Sequence, residues 1–245
     1  MDLLVSMAVM SILMGILTPT LGLVAESARR VKCQKKLSDV GLALTMWVGD
    51  HRDTLPPSDV ANIVYSTESP SGEAFQASTL MQIAHFKSDN PNSFDGLGRL
   101  VAEEYLSDPS ALYCPSHRGE HPFGAYENSW VTLHSEIVIN FNYRLFDGPV
   151  QLSRIDPATV LVTDGMRSIP DYNHGNGNNM LRADMSVTWF LDDNDYIESM
   201  LPASEHDSGA GIPVATAWAV MDTGDAPDNG SNDPPAEQDG NRILR

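Results

Sequence analysis

Residues 3–25 read LLVSMAVMSILMGILTPTLGLVA, a run without a single charge, and residues 26–50 continue it as ESARRVKCQKKLSDVGLALTMWVGD. An apolar run of roughly 18 residues is already long enough to cross a membrane as a helix. A signal peptide is the competing reading, but Met1-Asp2 place an acid where a basic flank belongs, and the run exceeds a usual signal core. Ser11, Gly15, Thr18 and Gly22 recur at helical spacing and line one face with small residues, which lets a second helix approach closely. Pro19 lacks an amide donor and predicts a kink or loosening there. An ordinary signal-anchor helix is the plainer alternative. In the second stretch Cys33, Leu37, Val40, Gly41, Leu44, Trp47 and Val48 repeat with helical period, while Arg30, Lys35, Lys36, Ser38 and Asp39 lie mostly on the rest of the wheel. The two stretches predict one helix that ends near Asp53, before Leu55-Pro56-Pro57. About 50 residues at ~1.5 Å each make ~75 Å, more than a globular domain needs.

The other positions are read against this helix. The chain has 245 residues, 33 acids against 15 bases, and a formal charge of −18. That balance excludes a basic nucleic-acid footprint and suits a self-repelling surface or divalent cations. Two cysteines exclude a four-cysteine zinc site and a disulfide-dense scaffold. Residues 77–86 and 97–105 read as short helices. Short β-rich runs follow at 111–114, 129–133, 137–143, 160–163, 180–183 and 187–191, separated by turn signals such as Asp147-Gly148-Pro149. The expected fold class is α+β, with the second half of the long helix packed against an antiparallel sheet. The expected divisions are 1–25 as an apolar membrane or filament-core helix, 26–54 as its amphipathic continuation, 55–198 as the head and 199–245 as an acidic C-terminal region.

The first 50 residues resemble type IV pilins and the pseudopilins of type II secretion. Asp2-Leu3-Leu4-Val5 matches the family's acid and the start of its apolar run, and Pro19 lies at the usual distance from that acid. Residues 28–44 are similar to the continuation in a subfamily with a prepilin-type cleavage and methylation segment and a C-terminal H-x9-DG signature. Leu112-Tyr113-Cys114-Pro115-Ser116 resembles its Cys-Pro-Ser segment, and Ile155 to Asp164 its strand-to-aspartate segment. His174 and Asp184 match the signature, with Met185 where glycine is usual. Glutamate is the usual family acid, no basic leader precedes Asp2, and the family's mature start falls about three residues before Met1.

The resemblance implies a structural subunit and not an enzyme. Its partners would be copies of itself in a helical homopolymer, with inner-membrane assembly machinery and prepilin peptidase acting on an inner-membrane-anchored precursor. The product would be an extracellular filament at the cell surface, a pilus or a secretion pseudopilus, and no nucleic acid is involved. A membrane-anchored or minor-pilin surface binding protein, an adhesin, is the alternative. Asp2, Gly15, Pro19 and Gly22 are the expected assembly residues. For a secreted subunit, Cys33 and Cys114 are expected as a disulfide, with two buried free thiols as the alternative. His174 and Asp184 read as a polar turn more readily than as a catalytic or metal pair. His206-Asp207-Ser208 carries no workable triad, because adjacent residues do not converge. No cofactor is expected except weak calcium at Asp222, Asp225, Asp228 and Asp233 in the acidic tail; an acidic solvated surface explains the same composition.

Overall fold

A single helix, α1 (Asp2–Asp50), dominates the computed structural model. The structure describes residues 2–58, 83–85, 93–133, 135–146, 148–204 and 211–223. The helix ends where its periodic apolar face ends. Arg52 and Asp53 take left-handed backbone (φ 55° and 68°), and the Asp53 amide bonds back to the Val48 carbonyl at 2.9 Å. Six-to-one bonding of this kind satisfies carbonyls a helix terminus leaves open. The backbone then ties Leu55 to Val150 and Leu152 to Asp53, which fixes the helix end to the head.

The head carries β1 (Ile83–His85), α2 (Gly98–Ala102), a 3₁₀ turn (Pro109–Leu112), α3 (Phe123–Thr132), β2 (Ile137–Val138), β3 (Phe141–Tyr143), β4 (Val160–Asp164), β5 (Gly177–Arg182), β6 (Val187–Leu191), α4 (Tyr196–Met200) and α5 (Gly211–Thr223). Strands β3, β4, β5 and β6 form an antiparallel sheet in sequence order, and β1 pairs with β2. The register sets Phe141 against Asp164 and Leu181 against Val187, with an irregularity in β4 between Val160 and Val162. The class is α+β, as expected, with the sheet under the second half of α1, which packs on β5 and β6.

Two cores flank the sheet. On the α1 side Cys33, Leu37, Val40, Leu44 and Trp47 meet Phe141, Leu161, Val162 and Leu181. Each fully buried aliphatic side chain there contributes about 1.5–3 kcal/mol. Gly41 sets the spacing, because a Cβ at that position would lie 2.9 Å from Leu181 Cδ1. On the opposite face Val160, Met166, Met180 and Ile197 meet Trp218 and Met221 of α5. So the C-terminal region from 199 is not separate: residues 217–221 complete the second core. The Asp192 carboxylate accepts the amides of Tyr196, Ile197 and Glu198 and the Tyr172 hydroxyl, as a cap for α4.

Several expectations change. α1 keeps helical backbone through Pro19, which removes one hydrogen bond without ending the helix. Among the described residues no helix is long and apolar enough to cross a membrane. The membrane-span expectation for 3–25 rests in part on side chains outside the described residues, those of 3, 4, 8, 16–21 and 23. Residues 83–85, expected within a helix, form a strand paired with β2. Residues 111–112 end a 3₁₀ turn that Asp108 caps through the Ser110 amide, 2.9 Å, and 113–114 follow it without forming a strand. Residues 129–132 close α3 rather than form a strand, with Leu133 left-handed (φ 53°) at its end.

Candidate functional site

Four polar side chains converge beneath the helix. Cys33 comes from the inward face of α1, Cys114 follows the 3₁₀ turn, Asp164 ends β4 and His174 precedes β5. One ligand-type atom from each lies within 4.8 Å of the others, and all four residues are buried. Cys33 Sγ donates to Asp164 Oδ1 at 2.6 Å. His174 Nε2 is 3.3 Å from Asp164 Oδ2 and 3.4 Å from Cys114 Sγ. The Asn179 amide and side chain donate to Asp164 Oδ2 at 2.8 and 3.0 Å. Asn140 Oδ1 accepts the Cys114 amide at 2.5 Å. His174 Nδ1 meets Glu26 Oε1 at 2.7 Å, and the Ser116 hydroxyl donates to the same oxygen at 2.8 Å.

The backbone explains the convergence. Gly177, φ 153°, starts β5 where a Cβ would lie 2.1 Å from the Phe190 carbonyl oxygen, so only glycine lets β5 and β6 close beside His174. The Trp189 ring meets His174 edge-on at 5.7 Å, and the Arg30 guanidinium lies 3.3 Å over its centre.

Electrostatics follow from burial. Burial acts to lower His174, but hydrogen bonds and charge from Asp164 and Cys114 outweigh it and push the imidazole up to about 11. Burial acts to raise Glu26, and its bonds with His174 and Ser116 reverse this and hold it below the usual carboxylate range. Burial pushes the Cys33 thiol well up, helped by Cys114 and Asp164. Burial opposes ionisation of Cys114, but its neighbours Cys33 and His174 outweigh it and hold the thiol below its ordinary value. Chemically the four can form a buried ion-pair network, a disulfide or a ligand shell.

The structure brings the two expected cysteines together, both as free thiols. It separates the expected signature pair. His174 is buried in the cluster, whereas Asp184 is exposed and accepts the Ser186 amide (2.9 Å) and hydroxyl (2.6 Å) in the hairpin turn. Met185 adopts φ 64° there, the backbone a glycine would take without strain. Sequence reading missed Asp164, Glu26 and Asn179 as partners; the acid closing the Val160 strand was the available signal.

The assembly residues stand apart. Gly15 and Gly22 are exposed, and a Cβ on either would meet nothing within 4 Å. Asp2 and Pro19 belong to α1, but their side chains lie outside the described residues. Val5, Met7, Met10, Ile12, Leu13 and Met14 are all exposed, from 52% to 68%. Of the calcium residues, Asp222 is already engaged, accepting from Arg144 Nη2 at 2.7 Å and from the Val160 amide at 2.8 Å, so it anchors α5 and is not a free cation ligand. Asp225, Asp228 and Asp233 lie outside the described residues, as do His206, Asp207 and Ser208. A half-open groove of about 770 Å³ runs between α1 and residues 105–115, with Val31, Leu42 and Met46 beside Lys32 and Lys35; none of the four clustered residues lines it. Comparison of the chain with protein-family models, with curated proteins and with solved structures finds no match.

Proposed function

We propose that this chain is a structural subunit of an extracellular filament of the type IV pilus or secretion-pseudopilus kind, built by packing α1 against the α1 helices of other copies. One observation carries the reading: the described large apolar side chains of the first half of α1, among them Val5, Met7, Met10, Ile12, Leu13 and Met14, are exposed, while one face of the second half is buried against the head. A helix that exposes so many large apolar side chains is stable when another apolar surface covers them. Copies of the same segment are a fitting cover, because Ser11, Gly15 and Gly22 leave room for close backbone approach. The head then sits outside, and the chain's net charge of −18, carried almost entirely beyond residue 25, favours a solvated surface. No chemistry on a substrate is required.

Replacing Gly15 with Leu in the full chain tests this. Filaments seen by negative staining should disappear while the head melts at its usual temperature, because the position contacts nothing within the subunit. Normal filaments from Gly15→Leu would rule out this face as the packing surface. Asp2→Ala should lower filament yield, since a carboxylate at the edge of an apolar core needs a partner.

A minor, surface-binding subunit is the second reading, and the groove beside Lys32 and Lys35 favours it. Copy number in isolated filaments separates the two: a structural subunit is the bulk of the mass, a binding subunit a trace at one end.

A further inference from the structure

Thiolate, imidazole and carboxylate are the donors that zinc takes, and Cys33, Cys114, Asp164 and His174 offer two sulfurs, one nitrogen and one oxygen in a single buried space. Zinc–ligand lengths of about 2.0–2.3 Å give tetrahedral edges of about 3.3–3.8 Å. The separations from His174 Nε2 to Asp164 Oδ2 and to Cys114 Sγ, 3.3 and 3.4 Å, already match such edges. The Cys33–Asp164 approach of 2.6 Å would open by about 1 Å, a small rotation of the carboxylate.

The surroundings are a second, separate observation. A ligating histidine characteristically has its other ring nitrogen fixed by a carboxylate. Here Glu26 holds Nδ1 at 2.7 Å, Ser116 fixes Glu26, and Nε2 is thereby aimed into the cluster. Asp164 is oriented in the same way by two donors of Asn179. Fixed outer partners around a convergent donor set exceed what packing alone requires of two cysteines.

The geometry points to a structural zinc site made by Cys33, Cys114, Asp164 and His174, which clamps α1 to the head. All four positions come from the protein, so no open coordination place remains for a substrate, and the role is mechanical. The four segments joined are separated by as many as 131 residues between hydrogen-bonded partners, as for Cys33 and Asp164. An ion there would fix the helix to the sheet at the point where its exposed half begins. The inference does not depend on filament formation.

The test uses the full chain, purified under reducing conditions, incubated with zinc and desalted. About one zinc per chain should remain bound, and the melting temperature should rise by about 10 °C when zinc exceeds its dissociation constant a thousandfold. Cobalt in place of zinc should give a thiolate-to-metal charge-transfer band. Cys114→Ser should abolish both signals, and Asp184→Asn, in the exposed turn, should leave them intact. Should Cys114→Ser fail to fold, Glu26→Gln keeps all four ligands and should weaken zinc about 10–100-fold. Folded, reduced chain that retains no zinc overturns the site. So does native protein whose two cysteines resist alkylation and whose mass is lower by two hydrogens, because the sulfurs are then a disulfide.

Discussion

Between Glu26 and Asp50 the helix turns Cys33, Leu37, Val40, Leu44 and Trp47 into the head; between Asp2 and Ala25 it turns Val5, Met10, Ile12 and Met14 toward open space. The backbone is helical throughout. What differs is the partner. Arg29, Lys32, Lys35 and Ser38 are exposed on the second half, so one sheet covers much of its apolar stripe. The first half carries no charge from 3 to 25, and its described large apolar side chains lie exposed on the subunit. Helical stability in proteins comes mostly from such packing rather than from propensity, so the first half depends on something outside the subunit.

The sharpest way to break the comparison is to cut one leucine from each half. Leu44→Ala removes a fully buried side chain and should cost about 2–5 kcal/mol in chemical denaturation of the isolated chain. Leu13→Ala, at a position 52% exposed, should change it by less than about 0.5 kcal/mol. Equal losses would mean that the first half is covered within the subunit.

The glycines give a smaller contrast of the same kind. Gly41→Val pushes a side chain into Leu181, and overpacking of this sort costs about 1–3 kcal/mol. Gly15→Ala meets nothing and should raise local helicity, worth up to about 1 kcal/mol in the free subunit. Denaturation for the first and circular dichroism for the second are the measurements.

Acid should act on the head and spare the first half of the helix, where residues 3–25 carry no titratable group. His121 is the group to watch. Burial, then the charge of Arg167, lowers it to about 4 from an ordinary 6.5. The unfolded chain therefore takes up the proton first, and head stability is lost as pH falls from about 6.5 toward 4. Melting of His121→Gln should show a shallower pH slope over that window, and an unchanged slope would place the acid sensitivity elsewhere.

The smallest effect belongs to an exposed ion pair of the second half. Lys35 and Asp39 pair at 2.6 Å but are well exposed, so Lys35→Gln should cost at most about 0.5 kcal/mol and less in high salt.

Much of this was legible beforehand. The repeat from Cys33 to Val48 located the buried half of α1, and its end fell at Asp50 against an expected Asp53. Residues 187–191 and 160–163 were readable as strands from β-branched and aromatic alternation. Residues 129–132 were not, because Trp130 and Val131 favour strands in isolation, yet the turn-forming Pro122 opens a helix that carries them. β5 starts at Gly177-Asn178-Asn179, residues that read as a turn; burial against β4 and β6 overrides that preference. The cluster was half legible. Cys33, Cys114 and His174 each stood out alone, but their meeting depends on contacts such as Glu26 with His174, 148 residues apart, and no local pattern encodes those.

Hydrogen exchange on the assembled and unassembled chain tests the central claim most directly. Amides of 33–48 should be protected in both states, because the head covers them. Amides of 5–24 should exchange rapidly in the free subunit and become protected only on assembly. Rapid exchange of 5–24 within assembled material, or full protection in the free subunit, would contradict the claim that copies of this chain cover the exposed half of α1.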